Sequence, residues 1–212
     1  NTPPTFASGV GDGTVTTAIG AGYDYVKSTT VQADGKILVA GYTNNGANYD
    51  LALTRYNTDG SLDTSFGGDG IVTTAVGASN DYGYGVTVQT DGKILVTGNS
   101  VNGINSDFAI VRYTADGSLD NTFGGDGVVT TDIGSDFDIA YDVTVQADGK
   151  IIAAGYSSNG TDNDFTIVRY NADGTLDTSF GGEGIVTTAD GATRDYRHSV
   201  AVQDDGKVLV AG

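Results

Sequence analysis

Aspartates are the most numerous side chains in this sequence that could do chemistry. Of the 27 acidic residues only Glu183 is a glutamate. Aspartate is common in calcium sites, and it is equally common in turns, where its side chain accepts backbone N–H bonds. One recurring segment places oxygen-bearing side chains at alternate positions, which predicts a Ca²⁺ cradle. The residues predicted to hold this metal are Asn57, Asp59, Asp63, Asp116, Asp120, Asn171, Asp173 and Asp177.

The predicted cradle differs from an EF-hand loop in two ways. Gly60 falls at the fourth position of the segment instead of the sixth, and the closing glutamate is missing. The same carboxylates could instead cap turns by accepting backbone N–H bonds. Calcium is therefore the one predicted cofactor, and turn capping is the alternative that stays open.

Two further aspartate sets recur along the chain. An active site needs an asymmetric group of residues, whereas these positions are copied from unit to unit. We therefore predict a structural role for them, such as bonding backbone amides between adjacent blades, and a ring of negative charge around a central channel is the alternative. The two sets are Asp24, Asp81, Asp138 and Asp195, and Asp50, Asp107 and Asp164.

Residues typical of catalysis are scarce. The single histidine, His198, occupies a position held by Lys27, Tyr84 and Tyr141 in the other copies. There is no cysteine, and no serine lies in a G-x-S-x-G elbow. Paired aspartates could serve a propeller-type hydrolase, but aspartate is abundant everywhere in this chain. The sequence therefore predicts a protein that is not an enzyme, with a hydrolase as a distant alternative.

The spacing of these residues comes from an internal repeat. The tetrapeptide DGKI or DGKV begins at Asp34, Asp91, Asp148 and Asp205, always 57 residues after the previous copy. A fixed period of this size indicates a repeat architecture, in which each unit buries its apolar surface against its neighbours. The predicted organisation is a linker at 1–8, followed by repeat units at 15–71, 72–128, 129–185 and a partial unit at 186–212.

Each unit carries four predicted strands and no helical pattern. In the first copy they are Ser28 to Gln32, Lys36 to Ala40, Asp50 to Tyr56, and Gly70 to Thr74, with an Asp34-Gly35 turn between the first two. KILVAG is apolar on both faces, whereas LALTRY alternates and predicts a position further out. The expected fold is an all-β propeller of four-stranded antiparallel blades, and an open stack of β-sheets is the alternative. The same logic makes Val15 to Thr17 a fourth strand.

Charge and hydropathy limit the partners. The formal net charge is −17 at pH 7, which opposes binding to nucleic acid or to anionic membranes. The absence of a long apolar run predicts no membrane insertion. A chain that begins at Asn1 with NTPPTF is expected to be a piece of a longer polypeptide.

The segment DGKILVAGYTNNGANYDLALTRYNTDGSLDTSFGGDGIVTT closely resembles the delta-60 repeat, and the likeness extends over residues 9–212. This resemblance implies a bacterial, extracytoplasmic protein, with such repeats placed inside very large surface or secreted proteins beside adhesin-like modules. It supplies no catalytic residues. The expected location is therefore extracellular or at the cell surface.

The internal copies differ mainly in two kinds of loop. The second-to-third and fourth-to-first loops vary, while the DGK turn and the third-to-fourth connection hardly change. In a propeller the two variable loops lie on one side, which we call the variable face. Its tyrosines and asparagines are suited to binding a glycan or a protein, although unconstrained drift explains variety equally well. The predicted ligand-binding residues are Tyr42, Asn44, Asn45, Tyr49, Tyr84, Asn102, Tyr141, Tyr156 and Asn159.

We therefore predict a structural and adhesive module of a large surface protein, with a multivalent glycan-binding lectin as the alternative. The last copy contains only its first two strands. Because an unclosed array exposes strand edges, we expect a homo-oligomer that completes the ring, or additional repeats lost from the C-terminus.

Overall fold

The structure is a computed structural model of the 212-residue chain, and it describes residues 13–189 and 199–212. The predicted linker at 1–8 lies outside the described residues, as do Asp195 and His198.

Every described element is a β-strand, and the strands form consecutive antiparallel sheets. The first three sheets have four strands each and the last has two. In chain order the strands are β1 (Asp24–Val31), β2 (Ile37–Asn44), β3 (Tyr49–Tyr56) and β4 (Ile71–Thr74); β5 (Asp81–Val88), β6 (Ile94–Val101), β7 (Ser106–Tyr113) and β8 (Val128–Thr131); β9 (Asp138–Val145), β10 (Ile151–Ser158), β11 (Asn163–Tyr170) and β12 (Ile185–Thr188); β13 (Ser199–Val202) and β14 (Val208–Ala211).

Within each sheet the strands follow chain order, as expected for a propeller blade. The DGK turn joins the first two strands: the Asp34 side chain accepts the Lys36 N–H at 3.1 Å, and Gly35 adopts a φ of 85°. The prediction of all-β, four-stranded repeats is confirmed. Among the described residues the sheets do not close into a ring, although the first strands β1, β5, β9 and β13 contact one another in succession.

Three apolar clusters hold consecutive sheets face to face. Strand β6 shows why, because Ile94 and Val96 pack toward the first sheet while Leu95, between them, packs toward the third. This alternation follows from the two-residue period of a strand. The second strand of each four-stranded sheet is therefore apolar on both sides, as predicted for KILVAG.

LALTRY lies further out than KILVAG, as predicted, because β3 follows β2 in a sheet whose first strand contacts the first strand of the next sheet. The strand is nevertheless more buried than its amphipathic pattern indicates. Residues 50–55 of β3 are all buried. Leu51 and Leu53 pack in the cluster between the first two sheets, and Arg55 is paired with Asp63. Arg55 therefore has its partner within the protein and does not face water.

The predicted strand from Val15 to Thr17 is also not formed. A fourth strand needs the third strand of its own sheet as a partner, as β4 has in β3. Thr17 nevertheless bonds the Tyr56 hydroxyl at 2.8 Å, matching the bond between Thr74 and Tyr113 at 2.7 Å. The segment therefore covers the first sheet in the place that a preceding fourth strand would occupy.

The described residues include no helix that could cross a membrane.

Candidate functional site

Each of the first strands β1, β5 and β9 contains a β-bulge at the same repeat position. In β1, Val26 pairs with Gly41 and Ser28 with Ala40, so Lys27 is the extra residue. The same shift leaves Tyr84 extra in β5 and Tyr141 extra in β9. We call Lys27, Tyr84 and Tyr141 the bulge residues. A bulge re-aims the side chain that it carries, and bulges are frequent beside functional sites.

Glycines opposite the bulges allow the strands to approach this closely. Gly41, Gly98 and Gly155 occupy equivalent positions in the second strands. A Cβ atom on Gly98 would overlap the carbonyl oxygen of Tyr82, and equivalent overlaps arise at the other two glycines. None of the three glycines has a positive φ, so backbone conformation does not explain them. Glycine is required at these positions because a side chain would have no space.

The bulge residues of three sheets converge on one cavity between the first strands. It has a volume of about 470 Å³ and is lined by Lys27, Ser28, Tyr84, Tyr141 and Asp142. Asp142 also joins the third sheet to the fourth, since its Oδ2 accepts the Val200 N–H at 2.8 Å and the Ser199 hydroxyl at 3.2 Å. The cavity thus combines aromatic rings with a cation, a carboxylate and a hydroxyl.

A continuous series of tyrosine rings extends from this cavity toward the variable face. Ring centroids are 4.8 Å apart for Tyr25 and Tyr42, 5.0 Å for Tyr84 and Tyr141, and 5.9 Å for Tyr141 and Tyr156. We call the whole series the tyrosine track. Its members are the seven rings that lie on strands: Tyr25, Tyr42, Tyr49, Tyr82, Tyr84, Tyr141 and Tyr156. Tyr23, just before β1, adds a further ring 6.4 Å from that of Tyr25.

The structure therefore brings together all five tyrosines that the sequence singled out. Tyr25 and Tyr82 were missed. Their signal was the Asp-Tyr pair that opens two of the first strands, at Asp24-Tyr25 and Asp81-Tyr82.

Lys27 places its ammonium group among these rings. The Nζ atom lies 5.4 Å from the Tyr42 ring centroid and 6.0 Å from that of Tyr84, within cation–π range. Burial, together with the neighbouring Tyr141, raises the pKa of Tyr84 well above its ordinary value. Its hydroxyl therefore stays protonated at neutral pH and can donate a hydrogen bond.

The predicted asparagines have a different environment. Asn45 uses its amide within its own loop, donating to Asp50 at 2.6 Å and accepting the Ala47 N–H at 2.8 Å. Asn102 and Asn159 donate to Asp107 and Asp164 in the same way, and Asn44 accepts the Gly46 N–H. These amides shape the second-to-third loops, and we leave them out of the candidate site.

The side chains predicted to form a calcium cradle also bond other groups of the protein. Asp63 Oδ2 accepts Lys36 Nζ at 2.8 Å and Arg55 Nε at 2.7 Å, while its Oδ1 accepts the backbone N–H and the hydroxyl of Ser65. The hydrogen bonds from Lys36 and Ser65 hold the pKa of Asp63 well below its usual range. Asp59 accepts both donors of Ser61, and Asn57 donates to Ser61 and Leu62.

The same arrangement recurs with Arg112, Lys93 and Asp120, and again with Arg169, Lys150 and Asp177. Asp116 and Asp173 repeat the turn made by Asp59, and Asn171 repeats Asn57. Turn capping and ion pairing thus account for the geometry of these side chains, and calcium binding by them stays a prediction.

This network explains why the third-to-fourth connection hardly varies. Arg55 Nη1 donates to the Ala115 carbonyl of the next unit at 2.5 Å, and its guanidinium lies 4.5 Å from the Phe66 ring centroid. Arg112 donates in the same way to Ala172. Each arginine therefore joins its own sheet to the following unit.

The described aspartates that open the first strands bond backbone amides, as predicted, but these amides belong to the loop just before each strand. Asp81 accepts the N–H groups of Val76 and Gly77, and Asp138 accepts those of Ile133 and Gly134. Asp24 does the same with Ile19 and Gly20. These bonds hold the fourth-to-first loops against the first strands.

A larger groove, of about 750 Å³, lies between the second and third sheets near the DGK turns. Its cations, Lys93 and Arg112, are already paired with Asp120. We place the candidate site at the tyrosine track instead, because it lies on the side where the copies differ.

Three segments of the chain, residues 32–66, 89–123 and 146–180, match the model of a family described as "Domain of unknown function (DUF5122) beta-propeller". The chain is therefore similar to a β-propeller repeat family, and the resemblance to the delta-60 repeat is consistent with this match. Each segment covers the DGK turn, the second and third strands and the start of the third-to-fourth connection. The bulge residues lie outside all three segments. No curated protein matches the chain.

Proposed function

We propose that this protein is a non-enzymatic module of a large bacterial surface or secreted protein, and that it binds an extracellular partner through the tyrosine track. The observation that carries the proposal is the contact between seven tyrosine rings from three consecutive sheets, ending at the cavity of the bulge residues. Tyrosine offers a large amphipathic contact area at a small cost in conformational entropy, which suits recognition surfaces.

The scaffold part of this function rests on the opposite side of the sheets. There the carboxylates of Asp63, Asp120 and Asp177 are engaged by their own unit, and Arg55 and Arg112 reach the next one. A side whose charged groups satisfy one another has few left for a ligand. Recognition is therefore assigned to the side where the loops differ.

A glycan is the second candidate partner, and the cavity favours it. Sugar rings stack on flat aromatic surfaces, while their hydroxyls need both donors and acceptors. Lys27 and the Tyr84 hydroxyl supply donors, and Ser28 can donate or accept. Asp142 already accepts bonds from Val143, Ser199 and Val200, so it would serve a ligand only through its remaining lone pairs. If several units bind in this way, a glycan-coated surface would be held multivalently.

We expect Tyr84→Ala to weaken binding by about tenfold or more, because Tyr84 lines the cavity and contacts the rings of neighbouring sheets. Binding is measured on a glycan array and on immobilised cell-surface protein. Circular dichroism confirms that the variant retains the wild-type fold.

Ile104→Ala is the matched control, since Ile104 is 95% exposed at the tip of a second-to-third loop. Unchanged binding by this variant would support recognition by the tyrosine track. Loss of binding in Ile104→Ala with full binding in Tyr84→Ala would move recognition to the loop tips. If the wild-type protein gives no signal in either assay, the module is a scaffold alone.

A further inference from the structure

Three carboxylates meet at the junction between the second and third sheets. Asp107, Asp132 and Asp138 each offer one oxygen, and these oxygens lie within 4.8 Å of one another. Asp107 belongs to β7, whereas Asp132 and Asp138 belong to the fourth-to-first loop and to the start of β9. The loop is held beside β7 by an isolated β-bridge between Ser106 and Phe137. The Ser106 N–H donates to the backbone carbonyl oxygen of Asp136 at 3.3 Å.

The Asp107 carboxylate lacks one partner. Its side chain is buried, with 7% of the residue exposed, and its Oδ2 accepts the Asn102 amide at 2.5 Å. Its Oδ1 is buried and has no hydrogen-bond donor among residues 13–189 and 199–212. A buried carboxylate oxygen without a donor, next to two other carboxylates, is strongly unfavourable unless a cation is bound or a carboxyl group takes up a proton.

We propose that Asp107, Asp132 and Asp138 bind one calcium ion between the second and third sheets. This site is separate from the turn residues discussed above and does not depend on the proposed function. The ion would supply the missing partner of Asp107 Oδ1 and would offset the repulsion among three carboxylates.

The ligand chemistry selects calcium. All three ligands are carboxylate oxygens, which hard cations prefer, and no nitrogen or sulfur ligand is present among them. Asp138 is held in place by the N–H groups of Ile133 and Gly134 and by a hydrogen bond from Ser157. Its carboxylate therefore cannot turn to give a bound ion regular octahedral coordination. Calcium tolerates irregular coordination completed by water, whereas magnesium demands near-ideal octahedral geometry.

The first junction provides an internal control. There the equivalent residues are Asp50, Ala75 and Asp81, so the loop carboxylate is replaced by a methyl group. Asp50 Oδ1 is likewise buried without a donor. The two junctions thus differ at the one position that would complete the site, and exchanging that residue in each direction tests the assignment.

The experiment titrates CaCl₂ into chelator-treated protein at neutral pH by calorimetry, with thermal melts in calcium, in magnesium and in chelator. We expect wild-type protein to bind calcium and to melt at a higher temperature in calcium than in chelator, as ligand linkage requires. Asp132→Ala should weaken this binding by about tenfold or more, because one charged ligand is lost. Ala75→Asp should add one further binding site per chain.

Two further variants separate this site from general charge effects and from the turns. Asp136→Ala removes an acidic side chain from the same loop, and Asp173→Ala removes one from a third-to-fourth turn; both should retain wild-type binding. The proposal is overturned if wild-type protein binds no calcium at millimolar concentration, or if Asp132→Ala binds as tightly as wild type. Tighter binding of magnesium than of calcium would overturn the choice of ion.

Discussion

Gly98→Ala is expected to destabilise the protein by roughly 3–4 kcal/mol. The new Cβ atom would overlap the Tyr82 carbonyl oxygen and crowd Gly83 on the neighbouring strand. Both obstacles are backbone atoms of a central sheet, so neither can rotate away. The sheet must separate at the bulge, which also displaces Tyr84. Urea unfolding followed by circular dichroism measures the loss.

Gly103→Ala is the matched control for this substitution. Gly103 has a φ of 102°, and a Cβ atom there meets nothing within 4 Å. Its cost should be about 1 kcal/mol, arising from backbone conformation alone. If the two variants lose the same free energy of unfolding, β5 does not pass close to Gly98. That result would contradict the bulge at Tyr84.

Asp120→Ala is expected to cost roughly 3–5 kcal/mol, because it leaves a buried arginine without its counter-ion. The Arg112 side chain is 4% exposed, and its Nε donates to Asp120 at 2.8 Å. Lys93 loses its partner at 3.0 Å in the same variant. Thermal and urea unfolding of the variant measure the effect.

The repeat provides graded controls for this prediction. Asp116→Ala removes an exposed carboxylate from the same connection and should have a small effect. Asp177→Ala removes the equivalent of Asp120, but its partner Arg169 is 19% exposed and can be partly solvated. Its loss should fall between the other two. If all three variants behave alike, the Arg112 pair does not contribute to stability through burial.

Much of the fold could be predicted because the local chemistry is unambiguous. Asp34-Gly35 can be recognised as a tight turn in any context, and the fixed spacing of its copies identifies one unit. The sheets follow from alternating apolar residues between such turns. The extent of β1 was harder to predict, since Asp24 to Lys27 mix charged, aromatic and aliphatic residues without a clear alternation and become a strand by pairing with β2.

The errors arose where tertiary contacts override local pattern. LALTRY alternates in polarity, yet both of its faces are covered, because Arg55 carries its own counter-ion into the interface. Val15 to Thr17 has the sequence of a fourth strand, but no third strand pairs with it among the described residues.

The sequence predicted the tyrosines of the candidate site but not the bulges that bring them together. Tyrosines could be chosen by type, but the bulge depends on the register of two strands, which no single segment encodes. The repeated glycine at Gly41, Gly98 and Gly155 was the available signal, and it becomes meaningful only when the facing carbonyl is known. The loop bonds of the asparagines depend on partners such as Asp50 and Asp107, to which the sequence analysis gave a separate role.

The central claim is that the first strands of consecutive sheets bring their bulge residues together, and cross-linking tests it most directly. The chain has no cysteine, so Tyr84→Cys with Tyr141→Cys creates a unique thiol pair at positions whose rings are 5.0 Å apart. We expect a short bifunctional thiol reagent to join the two within one chain, giving a monomer with a single linker by mass spectrometry. Two separately modified thiols, or linkage only between chains, would contradict the arrangement.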